Sequence, residues 1–173
     1  MEIEYKKVKT IGNVIVGTTA PQEPIYFENG TLPFLRASDL GAIKKSMNFT
    51  KVKDFVTESA VKEKGLTKVT SGSVVFPKSG ASVLTNNCAI LGIDAYLVNH
   101  LAAIEVNEEI VPKEWIYFYL NSIDFATLVD DPSYPSLQQS KIENLKIPFP
   151  KGVDLKIKSE EIKSKLEKVE QMR

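Results

Sequence analysis

The chain has 173 residues, with 22 Lys+Arg balanced by 22 Asp+Glu, 43% hydrophobic and 25% charged residues. These proportions belong to an ordinary folded domain and exclude disordered, collagen-like and coiled-coil-rod compositions. A single cysteine, Cys88, and a single histidine, His100, exclude an internal disulfide framework and a multi-His zinc site. Met1–Lys7 contains no apolar h-region, and no apolar run approaches the roughly 18 residues that span a bilayer. A protein of the reducing cytoplasm, with no membrane partner, is expected.

Zero net charge conceals an uneven distribution. Residues 1–80 carry 12 basic and 8 acidic side chains, residues 81–150 carry 3 and 9, and residues 151–173 carry 7 and 5. Lys44, Lys45, Lys51, Lys53, Lys62, Lys64, Lys68 and Lys78 make the first half lysine-dense, a stretch that reads either as a solvated face or as one that neutralises phosphates.

In chain order, Leu32–Arg36 is the first β-prone run. Thr57–Gly65 follows as a short helix, with an N-cap threonine, an acidic first turn, a basic last turn and a terminal glycine. Gly72–Phe76, Cys88–Gly92 and Leu101–Val106 are further short strands, each flanked by Gly, Asn or Ser. Pro112 suits a first helical position, and Trp115, Ile116, Tyr119, Leu120 and Ile123 recur at 3- and 4-residue spacing, predicting a helix from about Pro112 to Val129. Ile147-Pro148-Phe149-Pro150 ends that region, because proline stops a helix from running through. A boundary there divides a domain at residues 1–150 from an appendage at 151–173. From Leu155 to Arg173 nearly every residue is a helix former, and Leu155, Ile162, Leu166 and Val169 lie 7, 4 and 3 residues apart, close to the a and d positions of a heptad. A lone exposed helix of this length, about 28 Å, is marginal in water, so the seam calls for a partner helix. Its end at Arg173 without a Gly or Asn cap suggests a piece of a longer polypeptide.

Catalytic motifs fail in turn. Asp131-Pro132-Ser133-Tyr134 approximates the D-P-P-Y loop with which amino-methyltransferases hold a flipped adenine, but serine replaces the second proline and no Gly-rich turn accompanies it to seat a nucleoside cofactor. Phe76-Pro77-Lys78-Ser79-Gly80 has the composition of a phosphate loop without its order, and Ser59-Ala60-Val61-Lys62 lacks the companion motifs of the S-x-x-K hydrolases. Cys88 and His100 each sit among apolar neighbours, which suits a buried thiol and a packed imidazole better than a nucleophile and its base. Binding is therefore favoured over catalysis.

Four segments, in order, resemble the target-recognition domain of the DNA specificity subunits of type I restriction-modification systems. Val8–Pro21 is similar to that family's opening helix and G-x-T-P turn, and Gly30–Leu40 to its G-x-I-P-W strand with a following Asp. Gly72–Gly80 is similar to its G-D-V/I strand and small-residue loop, and Gln138–Pro150 to its closing Q-x-x-I/L segment ending in I-P-x-P. Asn13 departs from the usual acidic residue, and Lys151–Lys156 replaces the family's P-x-x-E-Q.

The resemblance implies an α+β fold, a twisted mixed β-sheet with short helices followed by a long spacer-like C-terminal helix. It implies a non-catalytic protein, without a cofactor of its own, that reads one half of a bipartite site in double-stranded DNA and positions methyltransferase and restriction subunits. Arg36 is then the leading base reader, since a guanidinium bonds guanine O6 and N7 together. Thr18, Thr19, Lys78, Ser79, Gln138 and Gln139 are turn and loop candidates for DNA contact, and Lys44, Lys45 and Lys141 are expected to contact phosphates. The Leu155, Ile162, Leu166, Val169 seam is expected to drive a homodimer or to meet a second recognition domain. A recognition domain of a fused restriction-methylation enzyme, and a protein-interaction module without DNA binding, stand as alternatives.

Overall fold

The computed structural model describes residues 2–42 and 46–172. In chain order the elements are β1 (Ile3–Lys7), β2 (Gly12–Val16), β3 (Leu32–Leu35), α1 (Ala37–Ala42), β4 (Ser46–Phe49), β5 (Asp54–Val56), α2 (Glu58–Lys64) and β6 (Lys68–Val69). They continue with β7 (Val74–Pro77), β8 (Ala89–Leu91), β9 (Ala95–Leu97), β10 (Leu101–Val106), α3 (Lys113–Ser122), α4 (Gln139–Glu143), β11 (Lys146–Pro150) and α5 (Leu155–Gln171).

Among the described residues the strands form three sheets, ordered β2-β10-β7-β8-β4, β5-β3-β9-β6 and β1-β11. They are mixed: β4 with β8 and β3 with β9 run parallel, and the other pairs antiparallel. The central strands of the five-stranded sheet, β7, β8 and most of β10, are buried on both faces, which explains why they read as apolar runs rather than alternating ones. Along β7 and β10, Val74, Phe76, Ala102 and Ile104 enter one core with Ile116, Leu120 and Phe125, while Val75, Leu101 and Ala103 enter a second core against Phe34, Leu35 and Leu97 of the four-stranded sheet. The strand period of two assigns successive side chains to the two cores. Phe76 meets Phe125 edge-on at 5.6 Å in the first.

The helix at α2 follows its sequence signals. Thr57 Oγ1 accepts the Ala60 N–H at 3.1 Å, and Gly65 closes the helix at φ 60°. Two expectations are corrected. Val8–Thr10 forms a single 3-10 turn leading into β2, not an opening helix. The helix expected at Pro112–Val129 stops at Ser122: Ile123 is extended, and the Asp124 carboxylate accepts the Ala126 N–H at 2.9 Å to start a separate 3-10 turn at Phe125–Leu128. A short polar side chain that bonds its own backbone competes with helix continuation there.

β1 pairs with β11 across the whole length of the domain, Ile3 opposite Pro150 and Lys7 opposite Lys146. Trp115 Nε1 donates to the Pro148 carbonyl at 2.9 Å and so ties α3 to this ribbon. Beyond it, Asp154 Oδ1 accepts the Lys156 and Ile157 N–H groups at 2.9 and 3.1 Å, starting α5. Ser159, at 2% exposure, inserts between Leu155 and Ile162, so the seam is Leu155, Ser159, Ile162, Leu166, Val169 with heptad spacing of 4, 3, 4 and 3. Its first half is covered, whereas Leu166 and Val169 are exposed. No helix among the described residues is long and apolar enough to cross a membrane.

Candidate nucleic-acid interface

Strands β2, β3, β7 and β9 end at one rim of the two larger sheets, and three of them meet at Val98. The Val98 N–H donates to the Leu35 carbonyl at 3.1 Å, and Thr18 pairs in parallel with Val98 through its N–H to the Leu97 carbonyl at 3.0 Å. The ends of β2, β3 and β9 therefore lie side by side. Gly17 permits this approach, because a Cβ there would stand 2.1 Å from the Val98 carbonyl oxygen. The Lys78 N–H, leaving β7, donates to the His100 carbonyl at 2.9 Å, which joins a fourth strand end to the group.

Thr18, Thr19, Arg36, Lys78, Ser79 and Gln138 all follow directly from this rim. Thr18 Oγ1 accepts the Thr67 N–H at 3.2 Å and so holds the turn, while Thr19 is exposed beside it. Leu137, 1% exposed, donates its N–H to the Lys78 carbonyl at 2.7 Å and delivers Gln138 as the exposed N-cap of α4. Gln139 Nε2 instead bonds Glu143 along the helix at 2.9 Å, and Lys141 Nζ bonds the Leu128 carbonyl at 3.0 Å and pairs with Asp130. Lys44 and Lys45 lie outside the described residues.

Arg36 is held on three sides. Its Nε pairs with Asp54, and its guanidinium lies 5.5 Å from the Phe27 ring centroid and 5.3 Å from that of Phe34. Its backbone N–H donates to Asp39 Oδ2 at 2.9 Å, so that Asp39, itself 3% exposed, fixes the turn from β3 into α1. A rigid guanidinium with one edge engaged by a carboxylate is oriented at the outset, a preorganisation that lowers the entropic cost of any contact it makes.

His100 differs from the expected packed imidazole. It is exposed, in the turn Val98–Leu101 closed by the Leu101 N–H to the Val98 carbonyl at 3.0 Å, and its Nδ1 lies 2.8 Å from Ser79 Oγ. That contact fixes the ring and turns Nε2 away from Ser79. The legible signal was Asn99, a turn former between two apolar runs. Cys88 is buried at 1% exposure, as its neighbours suggested.

The lysine-dense stretch is not one free basic surface. Lys64 pairs with Glu23 at 3.1 Å and lies 4.7 Å from the Tyr26 ring centroid, and Lys68 pairs with Asp94 at 2.8 Å. The ammonium groups hold the Glu23 and Asp94 carboxyls below their ordinary range. Lys51, Lys53 and Lys62 are exposed.

Residues 1–171 match the model of the type I restriction modification DNA specificity domain. The chain belongs to that family. It is 33% identical over 153 residues to the type I restriction enzyme MjaIX specificity subunit of Methanocaldococcus jannaschii, a match covering 85% of this chain and 34% of that one. The chain thus spans about a third of the length of this curated relative. Its fold is similar to a chain solved in a study of the assembly and conformational transition of the type I R-M system, with a TM-score of 0.72 and 16% identity over 98% of this chain and 38% of that one. It is also similar to the HsdS subunit from Thermoanaerobacter tengcongensis, with a TM-score of 0.65 and 13% identity over 98% and 37%. The α+β fold of mixed sheets, short helices and C-terminal helix is the fold of these specificity subunits.

Proposed function

We propose that residues 1–150 of this specificity-domain chain read one half of a bipartite site in double-stranded DNA, and that residues 151–173 begin the spacer helix that sets the distance to a second recognition unit. The observation that carries the reading is the convergence of polar turns from β2, β3, β7 and β9 on one rim of a doubly buried scaffold, in a chain of this family. Turns on a rigid sheet present side chains at fixed positions, as base reading in the major groove requires. In this role Arg36, Thr19, Lys78, Ser79 and Gln138 face base edges and nearby phosphates. Thr18 and Lys141 act mainly by holding turns, Gln139 contributes at the periphery, and Lys44 and Lys45 are phosphate contacts on the strength of their charge alone.

The chain supplies recognition, with no catalysis and no cofactor of its own, and works in the cytoplasm with methyltransferase and restriction subunits. The description of its relative as a specificity subunit supports that division of labour. Beyond its covered half, the α5 seam pairs with the same helix of a second copy. The test of recognition is selection of duplexes from a library with a randomised core, followed by titration at two salt concentrations. Enrichment of a short half-site, with affinity falling steeply between about 50 and 200 mM salt, is the expected result. Absence of any enrichment together with no duplex retention at low salt overturns it.

A further inference from the structure

We propose that Tyr134 is a specificity-determining residue of this interface, carried to the base edges on a rigid turn beside Ser79 and His100. The inference rests on the DNA-recognition reading above and assigns a role to the Asp131-Pro132-Ser133-Tyr134 segment that no cofactor-binding motif explained.

The segment is an anchored surface turn. Asp131 Oδ1 accepts the Ser133 N–H at 2.8 Å, and the Asp131 carbonyl accepts the Tyr134 N–H at 3.1 Å, an Asx contact inside a four-residue turn. Pro132 and Pro135 fix φ on either side of the tip. Both ends are tied down. Upstream, Asp130 pairs with Lys141. Downstream, the Pro135 carbonyl accepts the Gly80 N–H at 2.9 Å, Ser136 bridges to Ser79, and the buried Leu137 bonds Lys78. The downstream ties lead to the rim.

Against this fixed backbone the Tyr134 side chain is 82% exposed, and Leu84 beside it is 50% exposed. Nothing in folding requires an aromatic ring to be displayed in this way, and its cost in a binding contact is small because tyrosine has only two side-chain torsions to fix. The neighbouring charges decide where such a ring seats. Asp131 is exposed, and the other nearby carboxylate, Asp130, is neutralised by Lys141. A turn carrying Asp131 is repelled by the phosphate ridge, whereas a carboxylate is accommodated over the amino group of cytosine. A turn of this charge that contacts the duplex therefore does so at base edges rather than along the phosphates. There the Tyr134 ring packs on base edges such as a thymine methyl, and its hydroxyl adds one hydrogen bond. Ser79 links this turn to His100, whose Nδ1 lies 2.8 Å from Ser79 Oγ, while Ser79 itself bridges to Ser136.

The experiment uses the full chain as wild type, Tyr134→Ala and Tyr134→Phe, each taken through selection on a randomised-core duplex library and then through competition titrations at two salt concentrations. The exposed position predicts unchanged thermal unfolding for both variants. Tyr134→Ala should bind the wild-type site about tenfold or more weakly, with an unchanged salt slope and with sequence preference lost at one or two adjacent positions. Tyr134→Phe should keep the preference that the ring supplies. Enrichment of the wild-type sequence by Tyr134→Ala with undiminished affinity overturns the proposal and leaves the recognition reading intact. A weaker affinity with a reduced salt slope and unchanged preference also overturns it, since that pattern marks a phosphate anchor. A wild-type chain that selects no duplex overturns the recognition reading itself, and the role of Tyr134 with it.

Discussion

The outer half of α5 gives the sharpest quantitative test. Leu166 is 44% and Val169 51% exposed on the same seam whose earlier positions are buried at Ser159 and half-buried at Leu155 and Ile162. Complete burial of a Leu or Val side chain is worth about 1.5–3 kcal/mol, so covering the remaining half of each contributes about 1 kcal/mol. A two-fold pair of helices covers four such side chains, a total of about 4 kcal/mol or about three orders of magnitude in the dissociation constant. Association itself costs at least about 4 kcal/mol, so these four side chains only offset that cost, and a dimer dissociating in the micromolar range needs about 8 kcal/mol more, which the rest of the seam and the wider helix face must supply. Leu166→Glu/Val169→Glu removes the gain and places like charges in the seam. Ile157, 57% exposed and two residues beyond the seam position Leu155, lies off the stripe, so Ile157→Glu is the control. Light scattering across a concentration series should show the wild type and Ile157→Glu moving toward twice the chain mass, and the double variant remaining at the single mass. A wild type that stays monomeric at the highest concentration, or a double variant that dimerises equally well, refutes the reasoning.

Two further substitutions separate stability from recognition. Ser159 Oγ is buried without a hydrogen-bond partner among the described residues, so Ser159→Ala should raise stability by about 1 kcal/mol, read as a rise of about 2–4 °C in thermal midpoint; a lower midpoint counts against the packing described. Gly17→Ala drives a Cβ to 2.1 Å from the Val98 carbonyl oxygen and should cost about 1–3 kcal/mol in urea unfolding. Because the strain falls at the junction of β2, β3 and β9, duplex affinity should fall further than the stability loss alone explains. A variant of wild-type stability and affinity would show that the rim is not built on this approach.

The sequence carried the elements whose signals are local. β10 occupies Leu101–Val106 as its apolar run indicated, α2 has its threonine cap and its left-handed glycine, and α5 follows its heptad. β1 and β11 were invisible because each is defined only by the other, at opposite ends of the domain. Pro148 and Pro150, read as stops, are tolerated because β11 has a neighbour on one side only. The same distinction governs the site. Arg36, Lys78 and Gln138 have the right chemistry wherever they stand, but their placement along one rim depends on backbone bonds to Val98, His100 and Leu137, to which nothing in the local sequence points. His100 is exposed although its neighbours are apolar, because Val98 and Leu101 are the two ends of a turn and not part of one buried run.

The charges at the rim connect the two halves of the molecule. Arg36 is matched by Asp54 and Lys141 by Asp130, which leaves Lys78 as the principal unpaired cation among the described rim residues. On the proposed reading, such a surface would supply hydrogen-bond pattern and shape more than field, discriminating between base edges without strongly attracting the backbone. A single unit with few phosphate contacts binds duplex weakly and slides off at moderate salt. Under the proposed pairing through α5 that arithmetic changes: once one half-site is held, a second rim tethered through the helix would meet the other half at a high effective concentration, and the two modest affinities would combine. Loss of the Leu166 and Val169 contacts should therefore weaken binding to a DNA carrying two half-sites far more than binding to one, although neither residue touches the nucleic acid.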